Sequence, residues 1–264
     1  MNLTTQVALV TGAAGGIGSA LAQALESAGC RVIRHQRASF FAGEEHEVSN
    51  GSLESAWVFG DLNDVEAVRR IAREAEALGV TLLVNNAGVG EFSEFEASDI
   101  QRVISTNVIA PLLLTQALLP SLKARPEAAI VNIGSGFGHI GFPGFSTYSA
   151  SKFALRGFSE ALRRELSDTR VKVMDVSPGA IRTPMNDDRV EALNQAIKTS
   201  VNSPESVALA VVKALSTNAS RSILGSTLRF QSRLNALVPR VVDGALASQW
   251  PLIKRFFCAL TSWL

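Results

Sequence analysis

The 264-residue chain is short of the residues around which many functional sites are built: it has one tyrosine, Tyr148, three histidines and two cysteines. Three scattered histidines make no metal-ligand cluster, so no metal is expected. Cys30 and Cys258 lie far apart in apolar surroundings, which predicts buried thiols and not a disulfide framework. Neither sign of charge is in excess: 25 Lys and Arg face 24 Asp and Glu, interspersed, for a net charge of +1. That balance gives no electrostatic case for a nucleic-acid partner. The opening Met-Asn-Leu-Thr-Thr-Gln has no basic region followed by an apolar one, so a cytoplasmic protein is expected. No Pro/Ser-rich linker appears before residue 180, and α/β folds of this length are commonly one domain, the expectation here.

What is present is organised around the stretch from Ile133 to Lys152. The apolar run from Ala128 to Ile133 reads as a buried strand ending in glycine, which presents Ser135 at the C-terminal edge of a sheet. Tyr148 and Lys152 are four residues apart, hence one turn apart on one face of a helix. An ammonium that close favours the phenolate, so Tyr148 is expected to titrate below its reference of about 10 and to exchange protons near neutral pH. Tyr-x-x-x-Lys alone recurs by accident on helices, so the pair acquires meaning only from its company.

That company begins at the N-terminus. Val7 to Val10 is a short apolar run, followed by Thr11-Gly-Ala-Ala-Gly-Gly-Ile-Gly18 and an alanine/leucine-rich helical pattern to Ala28. Strand, glycine turn and helix form the context of a dinucleotide fingerprint, in which the backbone approaches a pyrophosphate and the helix N-terminus offers free N–H groups. Gly12, Gly16 and Gly18 fit one known spacing; Gly12, Gly15 and Gly18 fit another. Arg31 to Arg34 reads as the second strand, with His35-Gln36-Arg37 at its end. An acidic residue there accepts from the ribose 2′-hydroxyl of NAD, whereas an arginine attracts the 2′-phosphate of NADP. Residues 38–55 carry no sustained period. A strand from Ala56 to Phe59 runs into Asp61-Leu62, and Asn63 is the expected N-cap of a helix to about Leu78. Thr81 to Val84 reads as a strand ending in Asn85-Asn86-Ala87-Gly88. Ser98 or Asp99 is expected to cap a long helix carrying Thr106-Asn107-Val108, and Val171 to Val176 reads as a strand ending in Ser177-Pro178-Gly179-Ala180-Ile181-Arg182-Thr183.

From Gln6 to Gly225 these motifs resemble, in order and spacing, the classical short-chain dehydrogenase/reductase family. The Ser135 to Tyr148 distance and the chain length favour that branch over the extended, nucleotide-sugar branch, which would make the protein an epimerase or dehydratase. The resemblance implies a Rossmann-type doubly wound parallel sheet with helices on both faces, and a catalytic set of Asn107, Ser135, Tyr148 and Lys152, with Asn107 holding a water that passes protons toward Lys152. It implies a cofactor held by Gly12, Ala14, Gly15, Gly16, Ile17, Gly18, Arg37, Asp61, Leu62, Asn85, Ala87, Gly88, Tyr148, Lys152, Pro178, Gly179, Ile181 and Thr183. Gln36 where an acid is expected, with Arg37 beside it, favours NADP(H) over NAD(H). Such a protein reduces a ketone or aldehyde or runs the reverse reaction, and family members form dimers or tetramers. A cofactor-sensing protein without turnover is the other class, against which the complete Asn, Ser, Tyr and Lys set argues.

Phe137, His139, Phe142, Phe145 and Met185 are expected near the substrate and point to an apolar carbonyl or alcohol. Residues 184–202, polar and poorly patterned, are expected to form a substrate lid. The chain departs from the family pattern after residue 225. A C-terminal helical extension, 226–264, carries Trp250-Pro251, Phe256-Phe257 and Trp263-Leu264, with Lys254 and Arg255 interrupting an apolar run too short to span a bilayer. It is expected to cover the cleft, meet a partner subunit or lie on a membrane surface.

Overall fold

The computed structural model of the chain describes residues 1–37 and 56–257. The segment 38–55, Cys258, Trp263 and Leu264 lie outside the described residues. In chain order the elements are β1 (Val7–Val10), α1 (Gly16–Ser27), β2 (Arg31–Gln36), β3 (Ala56–Phe59), α2 (Val65–Ala77), β4 (Leu82–Asn85), α3 (Ile100–Ile104), α4 (Ala110–Lys123), β5 (Ala128–Ile133), α5 (Ser146–Glu165) and β6 (Val171–Ser177). There follow β7 (Ala180–Ile181), α6 (Asp188–Ala196), β8 (Val201–Asn202), α7 (Pro204–Thr217), β9 (Arg221–Ile223), α8 (Ser226–Leu237) and α9 (Pro239–Lys254).

Seven strands form one sheet in the order β3-β2-β1-β4-β5-β6-β9, with every neighbouring pair parallel. Parallel pairing needs helical crossovers, and these bury both faces of the sheet. Alternation along each strand divides the core accordingly. Ala8 and Val10 of β1 pack with Leu21 and Leu25 of α1 and with Val211 and Leu215 of α7. Leu9, between them, packs on the other face with Ile71 of α2, Leu114 and Leu118 of α4 and Leu162 of α5. Chain direction across the sheet reverses between β1 and β4, so the loops leaving the C-terminal ends of the strands gather along one edge. The segment Ile100–Lys123 is apolar and long enough to cross a membrane by composition, but its Val103, Leu114, Leu118 and Leu122 are buried in the core.

Several boundaries differ from the sequence reading. Asp64, one residue beyond Asn63, caps α2 by accepting the Glu66 N–H. Of the two candidates before α3, Asp99 caps it, accepting the Arg102 N–H. The helix expected through Asn107 is not uniform: α3 and α4 are joined by a π-helical turn, Ser105–Ile109. Residues 184–202 contain α6, capped by Asp187, and β8, which pairs with β7. Val190, Leu193 and Ile197 supply an apolar stripe at helical spacing that the surrounding charges obscured.

Candidate active site

The loops after β1, β2, β3, β4, β5 and β6 line one cleft of about 1640 Å³. That exceeds the ordinary range for one small ligand, roughly 300–1000 Å³, and leaves room for a dinucleotide and a substrate together. Gly12, Gly15, Gly16, Ile17, Gly18, Arg37, Asp61, Leu62, Ala87, Gly88, Pro178, Gly179, Ile181 and Thr183 all border it.

The glycine loop forms one end. Gly12 has φ +65, and a Cβ there would stand 3.0 Å from the Ala87 Cα. A Cβ on Gly18 would collide with the Gly12 carbonyl oxygen and one on Gly16 would press on Thr183, whereas one on Gly15 would make only ordinary contact. The constrained set is therefore Gly12, Gly16 and Gly18, the first of the two spacings. Gly15 is the N-cap of α1 and offers no side-chain cap, so the first-turn N–H groups are left for an anion and the helix dipole favours negative charge there. The Thr11 hydroxyl accepts the N–H groups of Asn86 and Ala87, both at 2.9 Å, and so ties the turn after β4 to the glycine loop. This backbone cradle, with Arg37 exposed at the end of β2, fits a nicotinamide dinucleotide.

Ser135, Tyr148 and Lys152 form the wall beyond it. The Ser135 hydroxyl, at the N-cap of the turn after β5, accepts the Phe137 N–H at 3.2 Å. Tyr148 and Lys152 stand one turn apart on α5, with Lys152 Nζ 5.7 Å from the phenol ring centroid and donating to the Ile133 carbonyl at 3.1 Å. The expected lowering of the Tyr148 pKa does not occur. Burial holds the phenol above its ordinary value, and the hydrogen bond with Ser135 opposes this without overcoming it. Burial likewise drives the Lys152 ammonium down to about 8, against the stabilising charge of Asp175. The sequence argument assumed a solvated ammonium acting on a phenol; desolvation penalises the charged form of both groups.

Asn107 stands behind this wall. Its Oδ1 accepts the Val89 N–H at 2.8 Å, and its Nδ2 donates to the Val89 carbonyl at 2.9 Å and to Ser151 Oγ at 3.0 Å. A Cβ on Gly88 would lie 3.0 Å from Asn107 Oδ1 and 3.6 Å from Lys152 Nζ, so the absent side chain is what lets the two groups approach one another. The π-helical turn accounts for an asparagine inside a helix, because a widened turn re-aims one side chain inward.

A family model described as short chain dehydrogenase matches residues 6–194. The chain belongs to the short-chain dehydrogenase family of oxidoreductases. Ketoacyl reductase HetN of Nostoc sp. is 34% identical over 221 residues, 81% of this chain and 76% of that protein. The crystal structure of a short chain dehydrogenase from Burkholderia cenocepacia J2315 in complex with NADP is similar with a TM-score of 0.78 at 28% identity, covering 93% of this chain and 99% of that one. The 3-ketoacyl-(acyl-carrier-protein) reductase from Brucella melitensis, complexed with NADH, gives 0.73 at 26% identity, covering 84% and 97%.

In this short-chain dehydrogenase three expected site residues lie elsewhere. Ala14 is exposed outside the cleft. Asn85 ends β4 with its side chain in the protein interior, where Nδ2 donates to Asn132 Oδ1 at 2.8 Å and to Thr115 Oγ1 at 3.2 Å. His139 is buried beneath the cleft, its Nε2 3.0 Å from Ser177 Oγ, and burial lowers its pKa to about 4. A loop histidine whose ring fills an internal polar site cannot be told from a substrate-facing one by spacing.

Phe137, Phe142, Phe145 and Met185 do line the cleft. The three phenylalanines share an aromatic wall with Phe92, whose ring is 5.0 Å from Phe145 and 4.6 Å from Phe257 of the C-terminal extension. Sequence reasoning missed Phe92 and the cleft-lining Val242, Ala245 and Leu246 of α9. The amphipathic spacing of the last three was the available signal. It also missed His35, which is buried and bridges Gly12 and Gly60; nothing in the sequence pointed to it. Cys30 is a buried thiol, pushed up to about 12 by desolvation.

Proposed function

We propose that the chain is an NADPH-dependent reductase of apolar ketones or aldehydes, running the reverse oxidation when conditions favour it. The observation that carries this reading is that Ser135, Tyr148 and Lys152 share one wall of the cleft whose far end is the glycine cradle. The reduced nicotinamide, when bound, supplies hydride to the carbonyl carbon. Ser135 donates a hydrogen bond to the carbonyl oxygen, and Tyr148 gives that oxygen its phenolic proton. A phenol held protonated by burial suits the donor role, which is the direction of reduction. Lys152, with a pKa of about 8, remains largely ammonium at pH 7 and stabilises the tyrosinate that forms. Asn107 returns the proton toward Lys152 through water. Preplaced donors around a developing oxyanion supply roughly 3–4 kcal/mol in comparable sites.

Arg37 supports NADP over NAD, because a guanidinium attracts a 2′-phosphate and no carboxylate stands at Gln36 to repel it. Known relatives carry either nucleotide, so the preference rests on this local chemistry. The aromatic wall of Phe92, Phe137, Phe142 and Phe145 supports an apolar substrate. The test is a fluorescence titration with NADPH and NADH at one ionic strength, followed by turnover of apolar ketones. Tight NADPH and weak NADH binding, with ketone-dependent NADPH oxidation, is expected. Preference for NADH would remove the Arg37 argument, and binding of neither would overturn the reading.

A further inference from the structure

The outer face where α8 meets α9 combines exposed apolar groups with concentrated positive charge. Phe230 is 66% exposed and Leu237 81% exposed; with Arg233 between them, they fall on one face of α8 by their three- and four-residue spacing. Val241, at the start of α9, is 59% exposed and also borders the cleft. The inward faces of both helices are already committed. Leu228 packs over Gly136, Asn235 Nδ2 donates to the His139 carbonyl at 3.0 Å, and Ile253 is fully buried in the aromatic cluster. Among the described residues the outward face has no such commitment.

Charge decides what suits it. Residues 226–257 carry Arg229, Arg233, Arg240, Lys254 and Arg255 against the single acid Asp243, although the whole chain has a net charge of only +1. The rest of the molecule is therefore net negative, and the surplus of cations lies on this element. Two copies meeting through the same cationic face would repel one another, which disfavours a second copy as the occupant. An anionic lipid surface meets both demands at once, because headgroups pair with the arginines while Phe230, Leu237 and Val241 enter the acyl boundary.

We propose that the α8–α9 elbow seats on an anionic membrane surface and opens the cleft, past Val241, to a carbonyl borne by a lipid of that membrane. The docking half stands on this face alone; the carbonyl half rests on the reductase reading.

The test is co-sedimentation of the full chain with vesicles of phosphatidylcholine alone and of phosphatidylcholine mixed with phosphatidylglycerol, at low and high salt. Binding to the mixed vesicles that weakens as salt rises is expected. Arg229→Gln, Arg233→Gln and Arg240→Gln should each lower partitioning about fivefold, and Leu237→Glu should lower it further. None of these residues lines the cleft, so NADPH titrations of the variants should match the parent. Absent binding, or equal binding to both vesicle types, would overturn the proposal. So would Leu237→Glu breaking an oligomer of the full chain without changing vesicle partitioning, which would assign the face to a second copy. Vesicle binding by a chain that takes up neither NADPH nor NADH would overturn the carbonyl half and the reductase reading while sustaining the docking.

Discussion

His35 Nδ1 accepts the Gly12 N–H at 3.2 Å, while Nε2 of the same ring donates to the Gly60 carbonyl at 3.0 Å. One buried imidazole therefore sets the spacing of the loops after β1 and β3, two of those that border the cleft. It must be neutral to do so, because a protonated Nδ1 carries a hydrogen where the Gly12 N–H needs an acceptor.

Burial lowers the pKa of His35 and takes that of His139 to about 4. Both folded values lie below the unfolded value of about 6.5, so the unfolded chain binds more protons in the interval between. The stability contributed by the neutral rings is complete above about pH 6.5 and is lost as pH falls through the folded values, at up to about 1.4 kcal/mol per pH unit for each ring. Urea unfolding at pH 7.5, 6 and 5 should show this loss, and His139→Gln should make the profile shallower.

Gly18→Ala places a methyl group on the Gly12 carbonyl oxygen and should cost about 1–3 kcal/mol through overpacking, together with most of the NADPH affinity. Gly15→Ala meets only an ordinary contact within the chain and should leave the melting temperature close to that of the parent. Thermal melts and nucleotide titrations of the two variants check the contrast.

Tyr148 is the only tyrosine, so the tyrosinate absorbance band of the native protein reports this one group. Its midpoint should lie above that of the chain unfolded in guanidinium, because burial raises it. Tyr148→Phe should remove the band and all measurable turnover, with NADPH affinity within about twofold of the parent, since in the proposed reaction the phenol is the proton donor.

With Lys152 at about 8, the ammonium is lost as pH rises through that value, and the reduction rate should decline with it. The charge of Asp175 opposes the shift, so Asp175→Asn should move the alkaline limb of the rate profile to lower pH. The pH dependence of NADPH-linked ketone reduction by the two proteins checks the sign.

Much of the architecture was legible before any coordinates. Val7–Val10, Ala128–Ile133 and the other apolar runs announced buried parallel strands, and the glycine-rich run from Gly12 to Gly18 announced the turn into α1, because hydrophobic period and glycine content are local properties. Ser135, Tyr148 and Lys152 were legible as a set because each follows from its own short motif. Asn85 and Ala14 show the limit: both sit inside genuine motifs, yet one points into the interior and the other into solvent.

The sequence by itself determined the main strands and helices of the parallel sheet, the family, and the positions of the glycine loop and the Tyr148-Lys152 pair, since all of these depend on spacing along the chain. Tertiary structure alone decided the protonation of that pair, the burial of His139 on Ser177, the bridge made by His35, and the closure of the aromatic wall by Phe257. Those features depend on desolvation and on contacts between residues distant in sequence, and neither is encoded in any local pattern.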